Sequence, residues 1–217
     1  KQALRISRIH LPIEASEVHE TLSILGDKAH YIKSVLRLKT GHTLILFTQD
    51  GYEYQAKIHD ILRHEILLND ITPSENPTPT STIDITIIQS ISAGDRMDYS
   101  VQKSAEMGAN KLIPVFSEYC SQKIPANKYD KKIAHWQAVA NSACEQSGRC
   151  DLLTILPIRN IHDALSSSTL KGIYLEPTAE KKVKNLPENF KQELAIYIGP
   201  EGGFSEKEIK AFKEAGF

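Results

Sequence analysis

Three segments of the chain bring together residue types at spacings suited to holding a ligand. The first is Tyr197-Ile198-Gly199-Pro200-Glu201-Gly202-Gly203-Phe204-Ser205-Glu206-Lys207-Glu208-Ile209. An apolar strand runs into a glycine-rich loop, and Ser205 with Glu208 forms the S-x-x-E capping box that marks where the next helix begins. Glycines let the backbone approach a ligand closely, and a helix N-terminus presents free N–H groups. The loop is neither G-x-G-x-x-G nor a P-loop, because no Gly-Lys-Ser/Thr comes after it. Its chemistry alone says either that a ligand lies near the backbone or that the connection is tight. The second segment, Ala143-Cys144-Glu145-Gln146-Ser147-Gly148-Arg149, closes a helix. Glu145 and Arg149 stand four apart and can pair for a few tenths of a kcal/mol. Gln146 and Arg149 cluster beside the terminating Gly148, where an arginine suits a phosphate or a base carbonyl oxygen. The third segment is Gly94-Asp95-Arg96-Met97-Asp98, then Gln102-Lys103-Ser104-Ala105-Glu106-Met107-Gly108. Arg96 opens a helix on which Lys103 and Glu106 share a face, and mutual pairing accounts for most of these charges.

A fourth feature is electrostatic. The stretch KAHYIKSVLRLK carries Lys28, Lys33, Arg37 and Lys39 with no acid, and His30 and Tyr31 lie among them. It is a candidate phosphate-contacting patch, although a solvated helix face accounts for the charge equally well. The formal net charge of −1 gives no basic excess, so local distribution has to carry any nucleic-acid reading. With 41% hydrophobic and 24% charged residues, the chain reads as an ordinary globular protein. Cys120, Cys144 and Cys150 are odd in number and form no C-x-x-C pair, which argues against a disulfide framework or a zinc knuckle. A reducing, cytoplasmic compartment is the expectation. His10, His19, His30, His42, His59 and His64 fall in the first third without metal-ligand spacing; they read as scattered surface residues, and no metal is expected. No apolar run reaches the length of a membrane span, and the first residues lack the apolar core of a signal peptide.

The elements that must position these groups divide at a proline-rich polar run, Thr72-Pro73-Ser74-Glu75-Asn76-Pro77-Thr78-Pro79-Thr80-Ser81. Prolines there cannot continue a helix or an inner strand, so residues 73–81 read as a linker between a domain over 1–72 and another over 82–217. The first domain is β-rich. Leu44-Ile45-Leu46-Phe47 reads as a strand, Thr48-Gln49-Asp50-Gly51 as a turn, and Tyr52, Tyr54 and Ala56 as the inward side of a second strand. Residues 66–68 suggest a further strand. One helix is expected over 28–36, capped by Asp27, with Ala29, Ile32, Val35 and Leu36 on one face. A small barrel with one helix results. The second domain alternates: strands at 83–91, 112–116, 152–156, 172–175 and 194–198, and helices at 95–107, ended by Gly108, and 130–147, with Ile133, Trp136, Ala140 and Ala143 or Cys144 on one face. Alternation implies a parallel sheet with helices on both faces, and such sheets bind ligands at the carboxyl ends of their strands.

Taken together, the segments resemble the family of 16S ribosomal RNA uridine-N3 methyltransferases called RsmE, within the SPOUT class. The resemblance covers nearly the whole chain. Val35-Leu36-Arg37 is similar to that family's V-L-R element, and Gln102-Lys103-Ser104 with Glu106-Met107-Gly108 to its Q-K-x-x-E-L-G helix. Phe116-Ser117-Glu118-Tyr119-Cys120 is similar to its F-S-E-R-C segment, with Tyr119 in place of the basic residue. The most specific signatures are Ala143 through Arg149 and Ile198-Gly199-Pro200-Glu201-Gly202-Gly203. The resemblance implies an α/β fold: a PUA-like β-barrel that holds RNA, then a parallel-sheet SPOUT domain ending in a trefoil knot. It also implies a homodimer that binds S-adenosylmethionine in the knot. By position, Tyr174, Leu175, Glu176, Pro177, Ile198, Gly199, Pro200, Glu201, Gly202 and Gly203 would line the cofactor site. Lys28, Lys33, Arg37, Lys39, Arg96, Lys103 and Gln146 would contact RNA. The family continues past the position of Phe217 through an L-G-x-R-I-L-R-x-E-T-A segment, so the knot and half the pocket are expected to be incomplete in these 217 residues.

Methyl transfer needs positioning more than covalent help, since the sulfonium already activates the methyl group. Loss of the uridine N3 proton spreads negative charge onto O2 and O4, which Arg149 is suited to stabilise. Glu145 is a candidate general base, and a structural pair with Arg149 explains it as well. Two other readings stay open: a SPOUT enzyme for another RNA position, and a non-catalytic RNA-binding assembly factor. For the basic patch, removing Lys33 and Arg37 together is expected to weaken RNA binding and to flatten its salt dependence by about one unit of slope per lost phosphate contact. Titrations at several salt concentrations check this, and an unchanged slope counts against it.

Overall fold

Ile9 and Leu11 turn inward from β1 (Ser7–Leu11), the first strand of a five-stranded curled sheet. The computed structural model describes residues 6–78, 82–168, 171–179 and 192–217; Pro79, Thr80 and Ser81 of the expected linker lie outside the described residues. The chain forms two compact units: Lys1–Thr80 with Glu145–Asp151, and Ser81–Cys144 with Leu152–Phe217.

In the first unit, β1 is succeeded by β2 (Leu22–Leu25), α1 (Gly26–His30), β3 (Thr43–Thr48), β4 (Glu53–Ile61) and β5 (Glu65–Pro73). The sheet order is β1-β3-β4-β5-β2, with β1 parallel to β3 and the other pairs antiparallel. Ile9, Leu44, Leu46, Ala56, Ile58, Ile66 and Leu68 fill the core, with Ala29 and Ile32 packed among them. The turn at 48–51 closes as the Asp-Gly signal suggests, with Gly51 N–H donating to Thr48 O and Gly51 at φ +86°.

Two local expectations are corrected. Tyr52 is 60% exposed and Glu53 is buried, the reverse of the simple alternation, because Glu53 is drawn inward by Arg8 and Cys150. The helix expected over 28–36 starts at Gly26, with Leu25 at its N-cap position and no side-chain cap; Asp27 sits in its first turn instead. It then widens into a π-turn over Tyr31–Val35. The extra residue in that turn rotates the end of the helix, so Ile32 stays buried while Val35 is 62% exposed.

The second unit contains β6 (Asp84–Ser90), α2 (Asp95–Met107), β7 (Lys111–Phe116), α3 (Tyr129–Ser147), β8 (Thr154–Ile155), β9 (Arg159–Asn160), α4 (Ile161–Ser166), β10 (Gly172–Tyr174), β11 (Glu193–Ile198) and α5 (Glu206–Glu214); the last residues of α3 group with the first unit. Every strand pair is parallel, in the order β10-β11-β6-β7-β8, with β9 also on β7. Gly108 ends α2 in the left-handed region at φ +99°. Trp136, Ala140, Ala143 and Cys144 are buried along α3. Ile88, Val115, Ala195, Tyr197 and Phe212 form one core, in which Tyr174 stacks on Phe212 at 4.8 Å.

From β6 the chain winds outward through α2 to β7 and β8, then returns at β10 and fills in β11 against β6. The winding direction therefore reverses between β6 and β11, and in such sheets ligands bind outside the carboxyl ends of the strands at that point. Gly172 in β10 has no room for a side chain: a Cβ there meets Ala195 O at 2.9 Å and the Phe217 ring. Gly172→Ala is expected to lower stability by about 1–3 kcal/mol through overpacking. Urea unfolding checks this, and an unchanged midpoint would mean the edge strand yields freely.

Candidate functional site

At the switch point β11 ends in Ile198 and enters the loop Gly199-Pro200-Glu201-Gly202-Gly203 before α5. The loop doubles back on itself. Gly203 N–H donates to Pro200 O at 2.9 Å, and Gly203 adopts φ +73°, which favours glycine. A Cβ on Gly199 would lie 3.2 Å from Gly203 C, so Gly199 has little room for a side chain, while Gly203 has the space and needs glycine for its backbone conformation. The Ser205–Glu208 capping box forms: Ser205 Oγ accepts from Glu208 N–H, and Glu208 Oε2 accepts from Ser205 N–H.

Neighbouring strand ends supply the walls. Leu175 N–H donates to Tyr197 O at 2.9 Å, which ties the end of β10 to that of β11 and sets Tyr174 and Leu175 beside Tyr197, with Glu176 and Pro177 next along the chain. Leu175 is 45% exposed, and Glu176 accepts from Thr178 Oγ1. From the β6 side, Arg96 Nη1 meets Glu201 Oε1 at 2.7 Å, and this hydrogen bond holds the Glu201 carboxyl below its usual range. From the β7 side, Tyr119 lies against Gly202, whose added Cβ would be 3.3 Å from Tyr119 Cβ. Lys103 pairs with Glu106 and lies over the Tyr99 ring. Lys103 thus pairs along α2 as its spacing suggested, whereas Arg96 finds its partner in Glu201 of the glycine loop, which no local spacing announced.

The first unit holds the other signature. Glu145 Oε1 accepts from Lys28 Nζ at 2.5 Å and from His10 N–H at 2.9 Å. Glu145 therefore pairs with Lys28, while Arg149 Nη2 pairs with Asp151 Oδ2 at 2.5 Å. The Glu145–Arg149 pair suggested by spacing gives way to these two, since Lys28 reaches the buried carboxylate directly. Arg149 Nε is buried with no hydrogen-bond partner among the described residues, so its guanidinium keeps donor capacity. Cys150 Sγ donates to Glu53 Oε2, which Arg8 also meets at 2.8 Å. Burial pushes the Glu53 carboxyl up, but the Cys150 and Arg8 hydrogen bonds outweigh it; burial and Glu53 raise the Cys150 thiol. Gln146 Nε2 donates to Tyr31 OH at 3.4 Å. Lys33, Arg37 and Lys39 are exposed, and Arg37 adopts φ +52°, unusual for a side chain of its size.

Arg8, His10 and Glu53 escaped the sequence reading. His10 is buried rather than a surface histidine. The available signal was its place between Ile9 and Leu11, and it reads as a strand only once β1 is known to pair with β3.

Comparison with known proteins agrees with this geometry. A family model described as an RNA methyltransferase domain matches residues 79–217, and one described as an RNA methyltransferase PUA domain matches 24–70. The chain is 32% identical to ribosomal RNA small subunit methyltransferase E of Buchnera aphidicola subsp. Schizaphis graminum, over 98% of this chain and 86% of the other. Against the protein of that name from Bacillus subtilis the identity is 26%, over 95% and 84%. Among solved structures, ribosomal RNA small subunit methyltransferase E from Neisseria gonorrhoeae bound to S-adenosyl methionine superposes with a TM-score of 0.88 at 31% identity, covering 98% of this chain and 87% of that one. A methyltransferase from Legionella pneumophila in complex with the bound cofactor SAM gives 0.89 at 30% identity, covering 99% and 88%.

His10 gives the first unit a pH signature. Burial, and then the nearby Lys28 charge, lower its pKa from 6.5 to about 4. The unfolded chain therefore takes up this proton first as pH falls. The stability contribution is fully present above pH 6.5 and is lost as pH drops toward 4, by up to about 3 kcal/mol. Urea unfolding of wild type and His10→Gln across that window should show the slope only in wild type; equal slopes would assign it elsewhere.

Proposed function

Given that this chain belongs to the RNA methyltransferase family, alongside the ribosomal RNA small subunit methyltransferase E proteins, we propose that it methylates N3 of a specific uridine in 16S ribosomal RNA of the small subunit, using S-adenosylmethionine. The observation that carries this is the glycine-rich 198–203 loop leaving β11 beside the end of β10, where Leu175 is bonded to Tyr197, at the point where the sheet's winding reverses; we place Tyr174, Leu175, Glu176 and Pro177 with that loop around the cofactor. The site suits the cofactor. Its loop is glycine backbone, crowded for a side chain at Gly199 and Gly202, and Leu175 offers an apolar wall. When bound, the sulfonium supplies an activated methyl group.

The chain's own residues then bind and orient. Gly199, Gly202 and Gly203 allow close backbone approach, and Glu201, steadied by Arg96, edges the loop. Arg149 spends one nitrogen on Asp151 and turns its remaining donors to the negative charge that forms on uridine O2 and O4 as the N3 proton passes to solvent water. Glu145, whose Oε1 is occupied by Lys28 and the His10 amide, serves this step by holding the Arg149 segment in place. Lys28, Lys33, Arg37, Lys39 and Gln146 of the first unit contact RNA, as do Arg96 and Lys103 of the second. The same reading includes a trefoil knot completing the pocket, a homodimer, and work on the small subunit in the cytoplasm.

Mass mapping of 16S ribosomal RNA from a deletion strain tests the proposal. One uridine should lose its N3 methyl group and regain it on complementation. Loss of methyl from a different nucleotide would point to another RNA position, and a complete methyl map would favour an RNA-binding assembly factor. Arg149→Ala is expected to slow single-turnover methylation at saturating RNA by about 100-fold; an undiminished rate would remove Arg149 from the chemistry.

A further inference from the structure

Glu208 does more than cap a helix. A capping box needs one carboxylate oxygen, and Glu208 uses Oε2 for it, accepting from Ser205 N–H at 2.9 Å. Its other oxygen, Oε1, accepts from Glu118 N–H at 2.8 Å, on the loop after β7. The side chain is 2% exposed, so water cannot replace either bond.

We infer that Glu208 is a positioning residue for the cofactor loop: its buried carboxylate fastens the end of the glycine loop to the loop after β7 and thereby fixes Gly202 against Tyr119. The inference rests on the reading that residues 198–203 hold S-adenosylmethionine. The loop after β7 is a tight turn in its own right. Cys120 N–H donates to Ser117 O, and Ser117 N–H donates to Cys120 Sγ. It therefore moves as a piece, and a tether at Glu118 sets where Tyr119 stands. Tyr119, 51% exposed, then backs Gly202 from the β7 side. On the opposite side the loop is held by Arg96 and Glu201, an exposed pair that water and salt weaken. The buried tether is the stronger of the two constraints. Glutamine cannot replace it, because its single carbonyl oxygen serves one N–H while its NH2 group faces the other donor.

The test compares full-length protein carrying Glu208→Gln with Ser205→Ala. Ser205→Ala removes the hydroxyl acceptor of the cap but leaves both bonds to Glu208 in place. Calorimetry well below the unfolding temperature should show Glu208→Gln raising Kd for S-adenosylmethionine ~10-fold. KM for the cofactor should rise in parallel, while kcat at saturation and the RNA affinity change less than ~3-fold. Ser205→Ala should lower Tm and leave the cofactor Kd within ~2-fold. Glu208→Asp keeps the charge but is a methylene too short to span both donors, and should behave as Glu208→Gln if the latter does not fold. Equal Kd shifts in the Ser205 and Glu208 variants, or no shift at Glu208, would overturn the inference. Amide exchange without cofactor supplies an independent readout: Glu208→Gln should speed exchange at residues 118–120 and 202–203, and unchanged protection there also overturns it. If wild type does not bind S-adenosylmethionine, the proposed cofactor fails while the exchange result still decides the tether.

Discussion

A carboxylate taken out of water has to be met by donors, and among the described residues three carboxylates are buried: Glu53, Glu145 and Glu208. Each is satisfied by groups from segments far apart in the chain. Glu53 receives Arg8 and Cys150, Glu145 receives Lys28 and the His10 amide, and Glu208 receives the Ser205 and Glu118 amides. Removing any one donor would leave a charge partly unmet in a low-dielectric setting, so these bonds specify geometry as well as contribute stability. The residues between the anchors are the ones that carry the family signatures. Arg149 lies between Glu145 and Cys150, and Gly202 lies just ahead of Ser205. In both units, then, a signature stretch is short and pinned by a buried carboxylate close by.

The second constraint is topological. A parallel sheet buried on both faces leaves its strand ends as the accessible backbone, and a reversal of winding keeps two adjacent ends from being covered by the same crossover. Here that reversal falls between β6 and β11. Glycines at 199, 202 and 203 follow the end of β11 there, and the Tyr174, Phe204 and Phe212 rings pack on one another nearby.

Much of this was legible in the sequence because it depends on local rules. The capping box at Ser205 and Glu208, the left-handed Gly108 and the span of α2 are all dictated by neighbouring residues. The alternation of strands and helices after residue 82 was enough to imply the parallel sheet. The features the sequence concealed are non-local. Glu53 and His10 turn inward because of partners brought by sheet pairing, against the sense of their polarity. The π-turn over Tyr31–Val35 breaks a periodicity that looked regular, and so moves Val35 off the core face. Similarly, the spacing of Glu145 and Arg149 said that they could meet, but not that Lys28 would arrive first. The second oxygen of Glu208 belongs to the same class, since no local pattern announces the Glu118 amide.

The order of strands in the second sheet also governs how the chain must come together in time. β6 pairs with β7 soon after both are made, but its other side waits for β11, roughly a hundred residues later. Until then a row of unpaired backbone groups along an apolar strand, with Ile87 and Ile88 at its centre, stays open to any other extended chain. A protein emerging from the ribosome at several residues per second would carry that open edge for many seconds. The strand order that reverses the winding at the middle of the sheet thus makes its central strand the last to be sealed. The long wait for β11 is the kinetic counterpart of a winding that turns back.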